Sequence, residues 1–235
     1  MSLVNIIKTE LHNHITIDPE RSKAFFKTGS GEYAERDVFI GVRVPDIRIL
    51  AKKFSDLKLD ELHVLIMSPI NEERLLALII LTLQYKNARQ ETARNSIYQF
   101  YIDHIRQVNN WNLVDSSAHL IVGAHLFAQD EAFLIMLAHS DNVWERRIAI
   151  VATWYFIRKN EPARTFIIAR MLLNDAHDLI HKATGWMLRE AGKKDRQMLV
   201  SFLNDHATQM PRTMLRYAID KFPEHERKRY LAVRK

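Results

Sequence analysis

The sequence has 235 residues and a formal net charge of +6, with 47% hydrophobic and 26% charged residues, a composition typical of globular proteins and not of disordered ones. Cysteine is absent, which excludes disulfide bonds, thiolate metal sites and a cysteine nucleophile. Glycine and proline number only six each, too few for the many turns of a β-sandwich or barrel. The positive charge suits an anionic partner such as nucleic acid and is equally compatible with solubility alone.

The N-terminal segment and the apolar runs bear on where the protein resides. Residues 1–14 lack a basic start and a small-residue cleavage site, so they do not resemble a signal peptide. The longest apolar run, residues 75–83, is far shorter than the ~20 residues of a membrane-spanning helix. We therefore expect a cytoplasmic protein without membrane contacts.

Residues 28–44 interrupt a chain whose apolar residues otherwise recur with helical spacing. This segment holds three of the six glycines and a β-branched patch, which predicts a long loop or a short β-hairpin. By spacing alone, Gly29-x-Gly31-x-x-Ala34 matches a dinucleotide-binding fingerprint. That fingerprint needs a preceding strand and a helix that opens within it, and neither is indicated here, so nucleotide binding is not expected.

The six prolines stand at the boundaries of the helical stripes and predict helix starts, where a missing N–H is tolerated. Similar segments begin at Ser68, Ser140, Asp175 and Ala207, consistent with units of about 35 residues that each contain two helices. Such pairs bury their apolar faces only by stacking on their neighbours. The sequence therefore predicts an all-α, curved α-solenoid that forms one domain over residues 1–235.

Three tryptophans stand beside charged residues at comparable positions of successive repeats, and so predict a common face. Trp111 and Asp115 are four apart, which puts an indole and a carboxylate on one side of a helix. Trp144 and Trp186 occur with nearby arginines. An aromatic and ionic stripe on a basic concave face suits a nucleic-acid backbone. The alternative is that Trp111 and Trp186 are core residues and that Asp115 caps a helix or pairs with Arg147.

The eleven histidines do not indicate a metal centre. His177 and His181 would share a helix face, but the sequence offers no obvious third ligand. We expect neither a metal nor another cofactor.

The segments WNLVDSSA, SDNVWERRIAI, HKATGWMLREAGK and FIGVRVPDIRILAK resemble the AlkD-type alkylpurine DNA glycosylases of the DNA alkylation repair family, over about residues 20–222. The resemblance implies HEAT-like repeats and hydrolysis of the N-glycosidic bond of cationic N3- or N7-alkylated purines, such as 3-methyladenine and 7-methylguanine, in base excision repair. The implied partner is double-stranded DNA that contains alkylated bases. The implied state is a monomer without an obligatory protein partner.

The resemblance also assigns residues to the site. Matched by motif, the implied catalytic residues are Asp115, Trp111, Arg147 and Trp186. The expected DNA-binding residues are Arg146, Arg189, Lys182 and Arg43. The sequence departs from the family pattern at Asn110, where an aromatic residue is usual and altered stacking is expected, and in the 28–44 segment, which resembles an insertion.

The implied chemistry needs a single carboxylate. An alkylated purine is already cationic and leaves as a neutral base, so no general acid is required. A carboxylate beside C1′ stabilises the oxocarbenium-like sugar that develops. The resemblance implies recognition of the DNA backbone at the lesion, without a pocket for a flipped base. The sequence fits this implication, because it shows no concentrated cluster of aromatic and amide residues that could read a base.

Two other functions remain open at the level of the sequence. The chain could be a non-catalytic HEAT-like protein that binds branched or distorted DNA through the 28–44 segment. It could instead be a helical scaffold for a protein partner. The four site residues favour the enzyme, and the positive charge favours DNA over a protein partner.

Overall fold

The computed structural model describes residues 2–35 and 37–232, and every regular element within them is helical. The contacts divide the chain into two compact units, with the division between Ile121 and Val122 in sequence. The prediction of an all-α protein is confirmed, whereas one domain over residues 1–235 stays a prediction.

The first unit contains α1 (Leu3–Asn13), α2 (Pro19–Phe26), α3 (Val44–Lys53), α4 (Leu59–Ile66), α5 (Asn71–Asn87), α6 (Glu91–Asp103), a 3-10 turn (Ile105–Gln107) and α7 (Trp111–Ser117). A π-helical turn, His119–Gly123, follows α7. The second unit contains α8 (Ala124–Leu126), α9 (Ala132–Ala138), α10 (Val143–Ala152), α11 (Trp154–Arg158), α12 (Ala163–Met171), α13 (Asp178–Lys194), α14 (Arg196–His206), α15 (Arg212–Ala218) and α16 (Glu224–Ala232).

Helix α5 is the centre of the first unit. Residues 71–82 are all buried, and the helix packs against α3, α4, α6 and α7. A helix that is buried all round has apolar residues on every face, as α5 has from Leu75 onward. Its first turn is different, because Asn71, Glu72, Glu73 and Arg74 are buried as well. Buried polar groups need partners: Glu73 pairs with Lys8 at 2.8 Å, and the other three residues contribute to the candidate site.

Helices α10 and α13 form the centre of the second unit. Helix α10 packs against α9, α11, α12 and α13, and α13 packs in turn against α14 and α15. A Cβ on Gly185 of α13 would lie 2.4 Å from the Met214 carbonyl oxygen, so only glycine allows α13 to pack this closely on α15. Successive helices that pack on their sequence neighbours form the predicted α-solenoid of HEAT-like repeats.

The predicted breaks in the helical pattern are largely correct. All six prolines lie within two residues of a helix start; Pro19 begins α2, for example. Residues 28–44 contain no hairpin where they are described: Val42 and Val38 form only isolated bridges, to Ile15 and Ile70. The segment is therefore a loop, one of the two predicted forms. Among the described helices, none combines the length and the apolar character that crossing a bilayer requires.

Candidate functional site

Helix α7 begins at the tryptophan of the first predicted motif. Asn110 has an extended backbone, and its side-chain oxygen accepts a hydrogen bond from the Trp111 N–H at 2.8 Å. Asn110 is fully buried, so its side chain caps the helix and cannot stack on a ligand. Trp111 and Asp115 are half-buried and line the same cavity, as their four-residue spacing predicts.

This cavity lies within the first unit and has a volume of about 540 Å³, a size typical of small-molecule sites. Its walls are formed by helix α2, the end of the 28–44 segment, the starts of α3 and α5, and helix α7. Its aromatic residues are Phe25, Phe26, Phe39 and Trp111. Its polar and charged residues are Arg21, Ser22, Arg43, Asn71, Glu72, Asn112, Asp115 and Ser116. The cavity therefore combines aromatic rings with polar and charged groups.

Three aromatic rings of the cavity are nearly parallel. The Phe26 ring stacks on Phe39 at 4.2 Å between centroids and on Trp111 at 5.0 Å, with interplanar angles of 13° and 19°. Phe25 meets Trp111 edge-on at 5.6 Å. The Trp111 indole N–H donates to the Tyr33 hydroxyl at 3.2 Å. These contacts fix the Trp111 ring, and they connect α2 and the 28–44 segment to α7.

A buried carboxylate, Asp37, joins three parts of the first unit. It forms an ion pair with Arg74 in which both side chains are almost fully buried. It also accepts hydrogen bonds from the side-chain amides of Asn71 at 2.9 Å and Asn110 at 2.8 Å. Arg74 further donates to the Ser68 carbonyl at 2.8 Å. Asp37 thus ties the loop to the start of α5 and to the cap of α7.

A second buried carboxylate, Glu72, holds the part of the loop that enters the cavity. It accepts backbone N–H bonds from Ile40, from Gly41 at 2.8 Å and from Val42 at 3.4 Å. Gly41 has a φ of +89°, and a Cβ there would lie 2.0 Å from the Ile17 carbonyl oxygen. Only glycine fits this close approach. Glu72 and Gly41 therefore set the backbone path that follows Phe39.

The predicted residues Arg147 and Arg146 lie on α10 in the second unit. Arg147 is only 5% exposed and donates to the Leu179 carbonyl at 2.6 Å. Arg146 pairs with Asp175 at 2.6 Å and donates to the Ser140 carbonyl at 2.8 Å. Both guanidinium groups thus have internal partners; the catalytic role of Arg147 and the DNA contact of Arg146 stay predictions.

The tryptophans of the second unit differ from one another in burial. Trp186 on α13 is half-buried and meets the Trp154 ring edge-on at 5.0 Å. Trp144 is only 7% exposed. The prediction that Trp144 lines a common face with the other two is wrong, because its ring is buried in the core of the second unit. The convergence of Trp186 with Trp111 and Asp115 stays a prediction.

The remaining predicted cations are paired with carboxylates. Lys182 meets Asp178 at 2.7 Å, and Arg189 meets Asp220 at 3.2 Å, both in the second unit. Arg43 lines the cavity of the first unit, is well exposed and reaches a carboxylate only at 3.4 Å. Over the described residues, no three His, Asp or Glu side chains are grouped as metal ligands would be.

A sequence model of the family described as "DNA alkylation repair enzyme" matches residues 7–222, almost the whole chain and both units. The chain belongs to the DNA alkylation repair enzyme family. Among curated proteins, none matches this chain. A solved structure described as a predicted DNA alkylation repair enzyme from Enterococcus faecalis is similar in fold, with a TM-score of 0.66 and 16% sequence identity. The similarity covers 89% of this chain and 98% of the other.

Sequence reasoning missed most of the lining of this family member's cavity. It found Trp111, Asp115 and Arg43, but not the aromatic residues Phe25, Phe26 and Phe39. The expectation that no cluster of aromatic and amide residues exists is wrong for the first unit, because the 28–44 segment folds back onto α2 and α7. One sequence feature could have indicated this site: the otherwise apolar, buried helix α5 begins with the charged residues Glu72, Glu73 and Arg74.

Proposed function

We propose that this protein is a DNA glycosylase that hydrolyses the N-glycosidic bond of cationic N3- or N7-alkylated purines in double-stranded DNA. Membership of the DNA alkylation repair enzyme family supports a role in the repair of alkylated bases. The observation that carries the finer proposal is the half-buried Asp115 carboxylate, which shares an aromatic cavity with Trp111.

Of the two carboxylates that line the cavity, Asp115 is the better candidate for the chemistry. Glu72 is 5% exposed and is bound by the backbone N–H groups of the loop. Asp115 lies on α7, one turn after the fixed Trp111 ring. A carboxylate that is held in place beside an apolar wall, where water is scarce, interacts more strongly with developing positive charge than one in bulk water.

The reaction then proceeds by departure of the base. The bond between C1′ and the purine nitrogen breaks, and its electron pair passes to the purine, which leaves neutral. The sugar becomes oxocarbenium-like, and Asp115 stabilises its positive charge. Water adds to C1′ and gives up a proton, which leaves an abasic site. Trp111 would hold the sugar against Asp115.

The predicted basic residues would bind the DNA backbone. Arg43 is exposed at the cavity and can meet a phosphate as it stands. Arg146, Arg189 and Lys182 already have carboxylate partners, so each would exchange that partner for a phosphate. Guanidinium groups suit this role, because they bind phosphate oxygens in pairs.

The experiment is single-turnover release of 7-methylguanine from methylated duplex DNA by the wild type and by Asp115→Asn. The variant keeps the size of the side chain but removes its negative charge. We expect excision to slow about a hundredfold or more, the loss typical of removing one preorganised electrostatic group. Affinity for lesion-containing DNA should be kept, because a carboxylate near phosphates is repulsive.

The matched control is Asp60→Asn, which neutralises an exposed carboxylate on α4 outside the cavity and should excise like the wild type. Melting temperatures exclude unfolding as the cause of any loss. Normal excision by a folded Asp115→Asn variant would remove Asp115 from the mechanism. Absence of excision by the wild type, with firm binding to branched DNA, would favour the non-catalytic DNA-binding function instead.

A further inference from the structure

We propose that His63 and His104 form a binding site for a divalent late transition-metal ion on the first unit. His63 lies in the last turn of α4, and His104 caps the C-terminus of α6. The two ring nitrogens that face each other, His63 Nδ1 and His104 Nε2, are 2.7 Å apart. Neither histidine lines the cavity, so this inference does not depend on the proposed function.

The ring of His104 is held in one orientation and one tautomer. Its Nδ1 is 2.8 Å from the Phe100 carbonyl oxygen, and its ring stacks on the Phe100 ring at 4.2 Å between centroids. A carbonyl oxygen only accepts hydrogen bonds, so Nδ1 carries the proton and Nε2 of the neutral ring has the lone pair. Metal-bound imidazoles are oriented in the same way, by a hydrogen bond from the nitrogen that does not bind the metal.

The His63 ring can present a second nitrogen to the same point. In the hydrogen bond between the rings, His63 Nδ1 donates to His104 Nε2. A metal ion would replace this proton, while His63 takes up a proton from water at its Nε2. Two nitrogens bound to one tetrahedral zinc ion are about 3.3 Å apart, because each lies ~2.0–2.1 Å from the metal. His63 is exposed, so a small rotation of its side chain can supply the missing ~0.6 Å.

The position of the pair favours a cation. Both histidines stand at the C-terminal ends of helices, where backbone carbonyl groups carry partial negative charge. Helices α4 and α6 also pack on the same helix, α5, so their ends have a common support. An ion bound by both rings would therefore cross-link two elements that are already held in place.

The donor set determines which ions fit. Imidazole nitrogens suit Zn²⁺, Ni²⁺ and Cu²⁺, whereas Mg²⁺ and Ca²⁺ prefer oxygen ligands. Two protein ligands leave the other coordination positions to water, so the bound ion should exchange with the solution. Among these ions Cu²⁺ should bind most tightly, as it does at most nitrogen sites. The ligands are 41 residues apart in the sequence, and no spacing motif indicates them.

The test is calorimetric titration of the metal-free, intact protein with ZnCl₂. His63→Ala and His104→Ala should each weaken the tightest binding step at least about tenfold, because the second imidazole then no longer adds to the first. MgCl₂ should give no such step. If either variant binds Zn²⁺ as tightly as the wild type, these two rings do not form the site.

The matched control is His139→Ala. His139 caps the C-terminus of α9, is exposed, and has its Nδ1 2.9 Å from the Ile135 carbonyl oxygen, as His104 has with Phe100. Among the described residues, no second imidazole is bonded to its ring. The His139→Ala variant should bind Zn²⁺ like the wild type. An equal loss in this control would mean that single surface histidines account for the binding.

Two further measurements test whether one molecule supplies both ligands. The electron paramagnetic resonance spectrum of the Cu²⁺ complex should show two nitrogen ligands in the wild type and one in His104→Ala. Sedimentation should show an unchanged mass with one ion per chain. One ion per two chains, with a doubled mass, would mean that the ion joins two molecules and would overturn the proposed site.

Thermal melts provide a readout of the cross-link itself. An ion that binds only the folded protein stabilises it, so excess Zn²⁺ should raise the melting temperature of the wild type. The same addition should raise that of His63→Ala much less, whatever the melting temperature of this variant without metal. An equal rise in both proteins would place the stabilising ion elsewhere on the molecule.

Discussion

The two units carry the predicted site residues in different ways. In the first unit, Trp111, Asp115 and Arg43 face a cavity, and the buried carboxylates Asp37 and Glu72 hold the loop that completes its wall. In the second unit, Arg147 is bound to a carbonyl and Arg146 to a carboxylate. Charged groups in the first unit therefore shape the cavity, whereas Arg146 and Arg147 in the second unit bind internal partners. A sequence motif identifies candidate site residues, but it does not show whether each one lines a cavity or binds a partner inside the fold.

The variant with the largest expected effect on stability is Asp37→Ala. The change leaves the Arg74 guanidinium buried without its carboxylate and removes acceptors from two asparagine amides. We expect a loss of about 3–5 kcal/mol in the free energy of unfolding, measured by urea denaturation. The double variant Asp37→Ala/Arg74→Met should recover part of this loss, because no buried charge is then left unpaired. A loss below about 1 kcal/mol would mean that the network does not hold the loop.

The equivalent change in the second unit is Asp175→Ala. Asp175 is also a buried carboxylate, and it accepts from Arg146 and from the His177 N–H at 2.8 Å. Arg146 keeps its carbonyl partners Ser140 and Asp141 after the change. We therefore expect a smaller loss, about 1.5–3 kcal/mol, in the same urea experiment. A loss larger than that of Asp37→Ala would reverse the contrast between the units.

The salt dependence of DNA affinity tests whether Arg43 and Arg189 bind phosphates. Arg43 needs to give up only a long contact with Asp46, so Arg43→Ala should reduce the slope of log K against log salt by about one. Arg189→Ala should change the slope less, because Arg189 must first leave Asp220 and Glu190. Fluorescence anisotropy with a labelled duplex measures both slopes. Equal changes would show that internal pairing does not limit phosphate binding.

The smallest expected effect on stability is that of Asp178→Asn. Its hydrogen bond from Lys182 lowers the pKa of this carboxyl below the ordinary value of 3.8. The pair therefore stabilises the fold above pH 3.8, and this contribution is lost as the pH falls through the lowered pKa. Both side chains are well exposed, so Asp178→Asn should cost no more than about 1 kcal/mol at pH 7. The difference from wild type should vanish in strong acid, as thermal melts at several pH values would show.

The helices could be predicted from the sequence because the features that indicate them lie close together along the chain. Apolar spacing and prolines gave the all-α fold, and the four-residue spacing of Trp111 and Asp115 placed both at one cavity. The loop carried no such signal. Asp37 binds Asn110, which is 73 residues further along the chain, and Phe39 contacts α7 through Phe26. No periodic spacing and no motif in the sequence indicates either contact. Tertiary contacts of this kind are decided by the whole fold, which is why the aromatic cavity was missed.

The bonds of Asp37 have a consequence for the order in which the first unit forms. They link it to partners 34, 37 and 73 residues further along the chain. Closing such long loops costs entropy before any contact is made, so these bonds form late compared with the helices. During synthesis, the loop cannot complete its anchorage until Asn110 has left the ribosome. We expect the cavity to be among the last parts of the first unit to become ordered, and among the first to open when stability falls.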